Sequence, residues 1–540
     1  MDKNLELPLG KRKKLYRFFE ILPGAASYFM IILLFVLSII SPLAGAIYLL
    51  IIIITMVVKA VGIAVRTIQG NNLLKRAGRV SWSKRLAELE NPHDSYDKLA
   101  GEKRESYDWD RHMRNLRMMA VAENGYFPRP SQIYNAVILT MYNEGLEILE
   151  PTLNSVKATT YDNKKIILLL AYEERGGEVA EKNAKELKKK FDGVFKDFIL
   201  VKHPDGIKNE VIGKGGNITN AGRALKEYAD KKKIKYGDVI VTTLDSDNKP
   251  HAAYFDYVSY EYIVREDRKR LSYQPVSLFM SNIWDAPAPM RVIAVGNSFW
   301  NIISSMRPHA LRNFASHSQP LDALVEMDFW SVRTIVEDGH QYWRSLFHFN
   351  GKYEVVPIRV PIYQDAVLSE TLWSTRKAQF VQLRRWDYGA SDVAYVGTRL
   401  FSKNRGMKFF DLFPKFVRLL DGHITLAAVA PIVAFGGWVP MLTNVQSRDL
   451  LAYNLPGIVS NIQLVASFGL FVTILLSMRM LPPRPARYKK GKKILMVLQW
   501  ILMPVTSIVY SSFAAFYSQT RLALGKYMEK FDVTDKAVKK

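Results

Sequence analysis

The sequence predicts a polytopic membrane protein in which an α/β domain, with a parallel-dominated sheet and helices on both faces, is inserted between transmembrane helices. Three observations predict this class. Long uncharged stretches lie near both ends of the 540-residue chain. A polar segment of roughly 350 residues separates them and is long enough for a large core. Within that segment, short apolar runs alternate with polar runs of helix length.

The N-terminal region, 1–66, is predicted to form a transmembrane hairpin. No charged residue lies between Glu20 and Lys59. The central SPLAGA supplies proline and glycine for a turn, and each half has the ~20 residues that one span requires. No small-residue cleavage pattern is present and a second apolar run follows directly, so we expect this region to be retained rather than removed as a signal peptide.

The C-terminal membrane region, 424–520, contains three further uncharged stretches. They are 424–447, 450–478 and 494–520, each long enough to cross the hydrocarbon layer of a bilayer. Pro504 interrupts the third stretch, so 494–517 either crosses the membrane or turns back as a re-entrant or interfacial element.

Basic residues cluster beside the predicted spans, in KRKK at 11–14 and RMLPPRPARYKKGKK at 479–493. By the positive-inside rule these clusters place the α/β domain and the basic tail, 521–540, in the cytoplasm at the plasma membrane. They also account for the formal net charge of +24 through contact with membrane lipid, so we expect no nucleic-acid partner. The sequence has no cysteine, which excludes disulfides and cysteine metal sites.

The cytoplasmic segment divides into a helical linker, 67–134, and an α/β domain, 135–398. AVILT, IILLLA, FILV and VIVTTL are short runs rich in β-branched residues, and polar segments of helix length separate them. Continuous apolar strands that alternate with helices predict a parallel sheet covered on both faces. Ligands of such a sheet bind at the carboxyl ends of its strands.

Two carboxylates follow the fourth predicted strand directly, because VIVTTL runs into DSDNKP. We expect Asp245 and Asp247 in extended chain with their side chains on the same side. Paired carboxylates repel unless a cation lies between them, and oxygen ligands without His or Cys suit Mg²⁺ or Mn²⁺. The alternative is an Asx turn before Asn248.

Polar residues also follow the other predicted strands. MYNEG follows the first strand and YEERGG the second, and both fit ordinary turns as well as binding sites. IGKGGN at 212–217 has no G-x-x-x-x-G-K-[ST] spacing, so ATP hydrolysis is unsupported, although Lys214 and nearby amides suit an anionic ligand. Glu337 and Asp338 lie in the aromatic segment IVEDGHQYWR, where burial would make a carboxylate a base, although such a pair is often an exposed turn.

The segment QLRRWDYGA at 382–390 places three different side chains on one face if it is helical. Gln382, Arg385 and Trp386 are then spaced at i, i+3 and i+4. The alternative is a basic helix whose tryptophan packs against its neighbours. The next segment, 399–423, is amphipathic and is predicted to be a helix in the membrane interface.

The ordered succession NEG, DSD, VED and QLRRW resembles the cytoplasmic domain of membrane-integrated family 2 glycosyltransferases, the group of cellulose, chitin and hyaluronan synthases. The resemblance covers about 135–400 and implies a GT-A-type domain and a metal-dependent inverting hexosyltransferase. It implies a nucleotide-sugar donor, expected to be UDP-linked, a glycan or lipid-linked acceptor, and a role in polysaccharide synthesis.

The resemblance also implies roles for individual residues. Asp245 and Asp247 would bind the diphosphate and Mg²⁺ or Mn²⁺, Asp338 would be the catalytic base, and Trp386 would bind the acceptor sugar. The residues implied in donor binding are Thr140, Tyr142, Glu144, Glu173, Lys214, Gln382 and Arg385. Where many relatives carry Asp after the second strand, this chain has Glu173 and Glu174, and either would meet the nucleotide.

Two other functions fit parts of the sequence. A transferase that adds a single sugar to a lipid carrier or glycolipid would use the same residues, and only four or five spans are visible, fewer than in cellulose synthase. A transporter or scaffold that only binds a sugar nucleotide would need no base, so the intact acids at 245, 247 and 338 favour an enzyme.

Overall fold

The computed structural model describes residues 5–102, 106–403, 405–444 and 450–530. Parts of five predicted regions therefore lie outside the described residues. They are 1–4 of the N-terminal hairpin, 103–105 of the linker, 404 of the predicted interfacial helix, 445–449 of the C-terminal membrane region and 531–540 of the basic tail.

The α/β domain is built on a mixed sheet that has eight strands within the described ranges. The strands are β1 (Tyr134–Met141), β2 (Ile166–Glu173), β3 (Asp197–His203), β4 (Val239–Leu244), β5 (Lys249–Pro250), β6 (Leu271–Leu278), β7 (Ser318–Pro320) and β8 (Glu354–Tyr363). Their spatial order is β3-β2-β1-β4-β7-β6-β8-β5. The four apolar runs of the sequence form β1 to β4, which confirms them as strands.

The first four strands are mutually parallel, because β1 pairs in parallel with β2 and β4, and β2 with β3. The second half of the sheet is mixed. β7 runs antiparallel to β4 and β6, β6 and β8 are parallel, and the short β5 is antiparallel to β8. The carboxyl ends of β1, β2 and β4 therefore meet at one edge of the sheet.

Helices cover both faces of the sheet, as the sequence predicts. Val137 and Leu139 of β1 point into one core, and Ala136 and Ile138 point into the other, as alternation along a strand requires. The first core is closed by the helices Leu146–Lys157, Gly177–Lys190 and Tyr254–Ile263, and the second by Lys214–Lys232 and Leu321–Glu326.

The predicted linker, 67–134, packs against the first core rather than standing apart from it. Its helices are Trp82–Glu88, Pro92–Leu99 and Trp109–Val121. The indole of Trp82 stacks on the ring of Tyr257 with a centroid separation of 3.5 Å. Arg111 donates two hydrogen bonds, of 2.8 and 2.6 Å, to the buried carboxylate of Glu261. This segment is thus a structural part of the α/β domain.

Four helices are long and apolar enough to span a membrane within the described part of the chain. They are Lys14–Ile40, Pro42–Gly78, Phe409–Thr443 and Lys492–Ala523. The first two are separated at Ser41, which adopts an extended conformation and whose hydroxyl accepts a hydrogen bond from the Ala44 amide. The second helix continues to Gly78, so the predicted boundary at 66 falls inside a helix. A further helix, Leu450–Met480, lies alongside Pro42–Gly78.

The predicted helix over 399–423 is not continuous. One helix, Asp392–Leu400, ends there, and the next begins at Phe409 and continues through the apolar segment to Thr443. Between them Gly406 has a φ of 73°, a left-handed conformation that favours glycine and does not occur within an α-helix. The amphipathic segment is therefore the start of a long apolar helix.

Three further long helices are Ala288–Ser305, Glu337–His348 and Leu372–Asp387. Ala288–Ser305 packs between β6 and the apolar helix Pro42–Gly78, and Leu372–Asp387 packs on the last apolar helix. The helix Leu372–Asp387 begins with a capping box in which Thr371 and Ser374 each accept a hydrogen bond from the main-chain amide of the other. This helix carries the QLRRW segment, so the predicted helical spacing is confirmed.

The last apolar helix, Lys492–Ala523, contacts the α/β domain at both of its ends. Near its start, Arg291 of the helix Ala288–Ser305 donates to Gln499 at 2.5 Å. Near its end, Ser518 donates to the main-chain oxygen of Arg384 at 2.5 Å, and Leu522 packs in one cluster with Tyr388. A π-helical turn over Thr506–Ser512 follows Pro504. Both ends of this candidate span therefore contact the same domain.

We expect cysteines placed at Lys490 and Lys526, before and after this helix, to be labelled from the same side of the membrane. Both residues are exposed, and the native chain has no cysteine to interfere. Ser41→Cys, between the first two apolar helices, is expected to be labelled from the opposite side. An impermeant maleimide applied to intact and permeabilised cells measures this, and opposite labelling of 490 and 526 would establish a crossing.

We expect Arg111→Ala to lower the free energy of unfolding by about 3 kcal/mol, because it removes two hydrogen bonds from the buried Glu261 carboxylate and leaves the longer 3.3 Å contact with Arg265 as its ion pair. Arg114→Ala, an exposed position on the same helix, is the control and should change stability little. Burial opposes ionisation of Glu261, but Arg111 holds the pKa of this carboxyl below its usual range. The stabilisation is therefore present above about pH 4.3 and is lost as the pH falls further. Thermal unfolding of the full chain in detergent, at several pH values, measures both effects.

Candidate active site

The polar residues at the carboxyl end of β4 occupy a tight turn. The main-chain amide of Asn248 donates to the Asp245 oxygen at 3.0 Å, so residues 245–248 form a β-turn. The expectation that Asp245 and Asp247 lie in extended chain with parallel side chains is therefore wrong. The side chain of Asp245 is one-third exposed, whereas Asp247 is buried and accepts a hydrogen bond from the Asp365 amide at 3.0 Å.

Lys214 is the first residue of the helix Lys214–Lys232, so Gly215 and Gly216 of the IGKGGN segment lie in the first turn of that helix. The two glycines that follow allow close packing at this end of the helix. A Cβ on Gly215 would collide with the main-chain oxygen of Ser331, and a Cβ on Gly216 would collide with the carboxylate of Glu210. The glycine run therefore serves contact with other parts of the protein.

The side chain of Lys214 is buried and reaches three carboxylates, which we call the acid cluster: Asp245, Glu337 and Asp338. Its Nζ lies 2.9 Å from Asp245 Oδ1, 3.0 Å from Asp338 Oδ2 and 3.7 Å from Glu337 Oε1. Burial alone would lower the pKa of Lys214, but the three carboxylates raise it above its usual value. The group is therefore an ammonium ion at neutral pH.

Glu337 and Asp338 form the first turn of the helix Glu337–His348 and differ in environment. Burial, and then the nearby Asp338 carboxylate, raise the pKa of Glu337 to about 8, although Lys214 opposes this change. The side chain of Asp338 is 19% exposed, whereas that of Glu337 is 3% exposed. One oxygen of each, Glu337 Oε2 and Asp338 Oδ1, is buried without a hydrogen-bond donor among the described residues.

His317 is a site neighbour that the sequence analysis missed. Its Nδ1 lies 3.9 Å from Asp338 Oδ1 and 2.8 Å from the Phe314 oxygen, to which it donates when protonated there. Its Nε2 accepts from Trp330 at 3.4 Å. Burial lowers the pKa of His317, which keeps this ring neutral. His317 follows an irregular segment and directly precedes the three-residue β7. The sequence around it therefore shows no helix or strand periodicity that would have pointed to it.

The predicted donor residues of β1 lie beside the end of β4. Thr140 donates to the Leu244 oxygen at 3.3 Å. Glu144 accepts from the Tyr142 amide at 2.7 Å and from the Ser246 hydroxyl at 2.9 Å. Glu144 therefore fastens the turn after β1 to the turn after β4, a structural contact that accounts for its position.

Glu173 and Glu174, the two candidate residues at the end of β2, lie in different environments. Glu173 is buried and pairs with Arg175, whose guanidinium lies 4.5 Å from the centre of the Tyr142 ring. Glu174 is exposed and pairs with Lys202 at 3.0 Å. Glu173 therefore belongs to the same group of side chains as Tyr142. Arg175 was missed, although it follows directly in the EERGG segment.

The QLRRW residues lie on the helix Leu372–Asp387, at the side of the sheet where β6 ends. Gln382 accepts from Gln379 of the same helix at 3.2 Å, and Arg385 is half-buried. Trp386 is 37% exposed, and its ring centroid lies 5.9 Å from that of Phe279, the residue after β6. Trp386 therefore has one packed side and one side open to solvent or ligand.

A cavity of about 700 Å³ lies between this helix and the ends of the chain. Its lining includes the guanidinium-bearing residues Arg12, Arg333, Arg384 and Arg521, together with Tyr16 at the start of the first apolar helix. The residues of the acid cluster do not line this cavity.

Within the residues that the structure describes, no group of three or more His, Asp or Glu side chains is placed to hold a metal ion. The oxygen donors of Asp245 and Asp247 nevertheless suit a hard cation such as Mg²⁺ or Mn²⁺. Glu337 Oε2 and Asp338 Oδ1, the two buried oxygens without a hydrogen-bond donor, would also suit contact with a cation.

No protein-family model matches the sequence, and no curated protein matches it either. Solved structures with some similarity include the mannosyltransferase PcManGT from Pyrobaculum calidifontis in complex with GDP-Man and Mn²⁺. It has 13% identity and a TM-score of 0.41 over 86% of this chain and 100% of that chain. S. aureus TarS 1-349 in complex with UDP-GlcNAc has 9% identity and a TM-score of 0.35 over 73% and 93%. Similarities this weak assign neither a fold family nor an activity to this chain.

Proposed function

We propose that this protein is a membrane-embedded, inverting family 2 glycosyltransferase with a GT-A-type cytoplasmic domain. It moves a hexose from a nucleotide sugar, expected to be UDP-linked, to a glycan acceptor in polysaccharide synthesis. The observation that carries the proposal is the contact of Asp245 and Asp338 with the same Lys214 nitrogen. These acids belong to the DSD and VED motifs, which are far apart in sequence and would have to meet in such an enzyme.

Asp338 is the proposed base. It removes the proton of the acceptor hydroxyl, whose oxygen forms a bond to the anomeric carbon of the donor sugar. The bond from that carbon to the diphosphate breaks, and the nucleoside diphosphate leaves with the electron pair. A single displacement of this kind inverts the anomeric configuration.

Asp245 and Asp247 are proposed to hold Mg²⁺ or Mn²⁺, which would stabilise the charge of the leaving diphosphate. The donor side would be formed by the residues around the carboxyl ends of β1 and β2 and by the QLRRW helix. Those proposed for donor binding are Thr140, Tyr142, Glu173, Gln382 and Arg385, with Glu144 holding the turns in place. Glu173 is preferred over Glu174 because it lies beside Tyr142.

We expect Asp338→Asn to lower turnover at least 100-fold and to leave nucleotide binding nearly intact, since the amide keeps the shape but cannot accept a proton. Glu337→Gln should retain activity within about tenfold at pH 7, because its raised pKa keeps Glu337 mostly protonated and glutamine resembles that form. Nucleotide release from a panel of nucleotide sugars, with the protein in lipid, measures both.

The surface variant Asp328→Asn removes an exposed carboxylate of the same domain and serves as the control. Asp338→Asn with more than about a tenth of wild-type turnover would contradict its role as the base. Activity that survives excess chelator would contradict the metal requirement.

Trp386 is proposed to bind the acceptor sugar, because an aromatic face with one open side can stack on apolar C–H groups. We expect Trp386→Ala to raise the apparent KM for acceptor much more than that for the sugar nucleotide. Trp373→Ala, an exposed tryptophan at the start of the same helix, is the control. Equal loss for donor and acceptor, with a lower melting temperature, would instead indicate that Trp386 only packs against Phe279.

A second candidate is transfer of a single sugar to a lipid-linked acceptor. The observation that favours it is the 700 Å³ cavity, whose arginines lie beside the start of the first apolar helix and suit a lipid phosphate. Product length separates the two, since a single-transfer enzyme adds one sugar and a polymerising enzyme extends the product.

A further inference from the structure

Lys214 occupies an unusual position for a residue predicted to bind the donor. Its ammonium group is buried and lies among the acid cluster rather than at the edge of a glycine loop. The two closest oxygens, Asp245 Oδ1 and Asp338 Oδ2, contact it at 2.9 and 3.0 Å. A single cation thus joins the proposed metal ligand to the proposed base.

The charges of the cluster require such a cation. Carboxylates placed close together in a partly buried site repel one another unless positive charge lies between them. The backbone holds the lysine in place, because Lys214 begins a helix whose next residue, Gly215, packs against Ser331. The ammonium group therefore stabilises the cluster when no metal ion is bound.

A metal ion bound to Asp245 Oδ1 would share that oxygen with the Lys214 ammonium. Two cations would then compete for one carboxylate oxygen, and their mutual repulsion would weaken metal binding. Loss of the ammonium charge should therefore strengthen binding of a divalent cation, even though the lysine stabilises the apo site.

We propose that Lys214 is the resident counter-cation of the acid cluster and that it competes with a divalent metal ion for Asp245. This inference rests on the proposed function, because it assumes that Asp245 is a metal ligand. Lys214 is thus a positioning residue that sets the metal affinity of the site and holds Asp338 next to it before metal arrives.

The test is a titration of the purified full chain with Mn²⁺ alone, without nucleotide. Electron paramagnetic resonance measures the Mn²⁺ that remains free. We expect Lys214→Met to lower the Kd for Mn²⁺ at least about tenfold, since the competing charge is removed. Lys214→Arg keeps the charge and should stay within about threefold of wild type. Lys208→Met, an exposed lysine in the preceding loop, removes the same charge away from the cluster and should leave the Kd unchanged.

The outcomes separate the two proposals. Binding that Asp245→Asn abolishes but Lys214→Met leaves unchanged or weakens would overturn the role of Lys214 and keep the metal site. Equal tightening in Lys214→Met and Lys214→Arg would also overturn it, because the effect would then come from local disruption. Absence of Mn²⁺ binding in wild type and in Lys214→Met would remove the proposed metal site itself. Melting temperatures of all variants identify any that fail to fold.

Discussion

The ammonium group of Lys214 is buried among carboxylates from two other segments of the chain, and burying such an ion without partners would cost several kcal/mol. Its helix must therefore be docked against the turn after β4 and against the helix Glu337–His348 at the same time. Gly215 makes the docking possible, because any side chain there would collide with Ser331. The geometry of the acid cluster is thus a consequence of how three elements pack, and no single motif contains it.

The half of the fold that follows from local pattern could be predicted from the sequence. β1 to β4 are continuous apolar runs separated by helices, so their parallel pairing follows from burial on both faces. The other half could not. β8 contains Pro357 and Pro361, which weaken a strand pattern, and β7 has only three residues. Their pairing depends on partners that lie far away in sequence.

The candidate site divides in a similar way. The order of the motifs singled out Asp245 and Asp338 as candidates, but residue types left an extended chain and a turn before Asn248 both open, and the hydrogen bond from Asn248 to Asp245 forms a turn. Residue types did not single out His317, whose position beside Asp338 is set by β7. For the apolar helices, hydropathy predicted where they occur but not their ends. Hydropathy also does not show how Lys492–Ala523 packs against the α/β domain. That packing is set by hydrogen bonds such as those of Arg291 with Gln499 and of Ser518 with Arg384.

The adjacent acids Glu337 and Asp338 show how packing can give two like groups different properties. Both occupy one helical turn near the same ammonium ion, but Asp338 is 3.0 Å from Nζ and partly exposed, whereas Glu337 is 3.7 Å away and buried. Burial and the neighbouring Asp338 carboxylate favour the neutral form of Glu337, whereas Asp338 is the closer of the two to the Lys214 ammonium group. The partly exposed Asp338 is the member that an acceptor hydroxyl can reach, as its proposed role as the base requires. A division of this kind between neighbouring carboxyl groups is what acid–base chemistry at neutral pH requires.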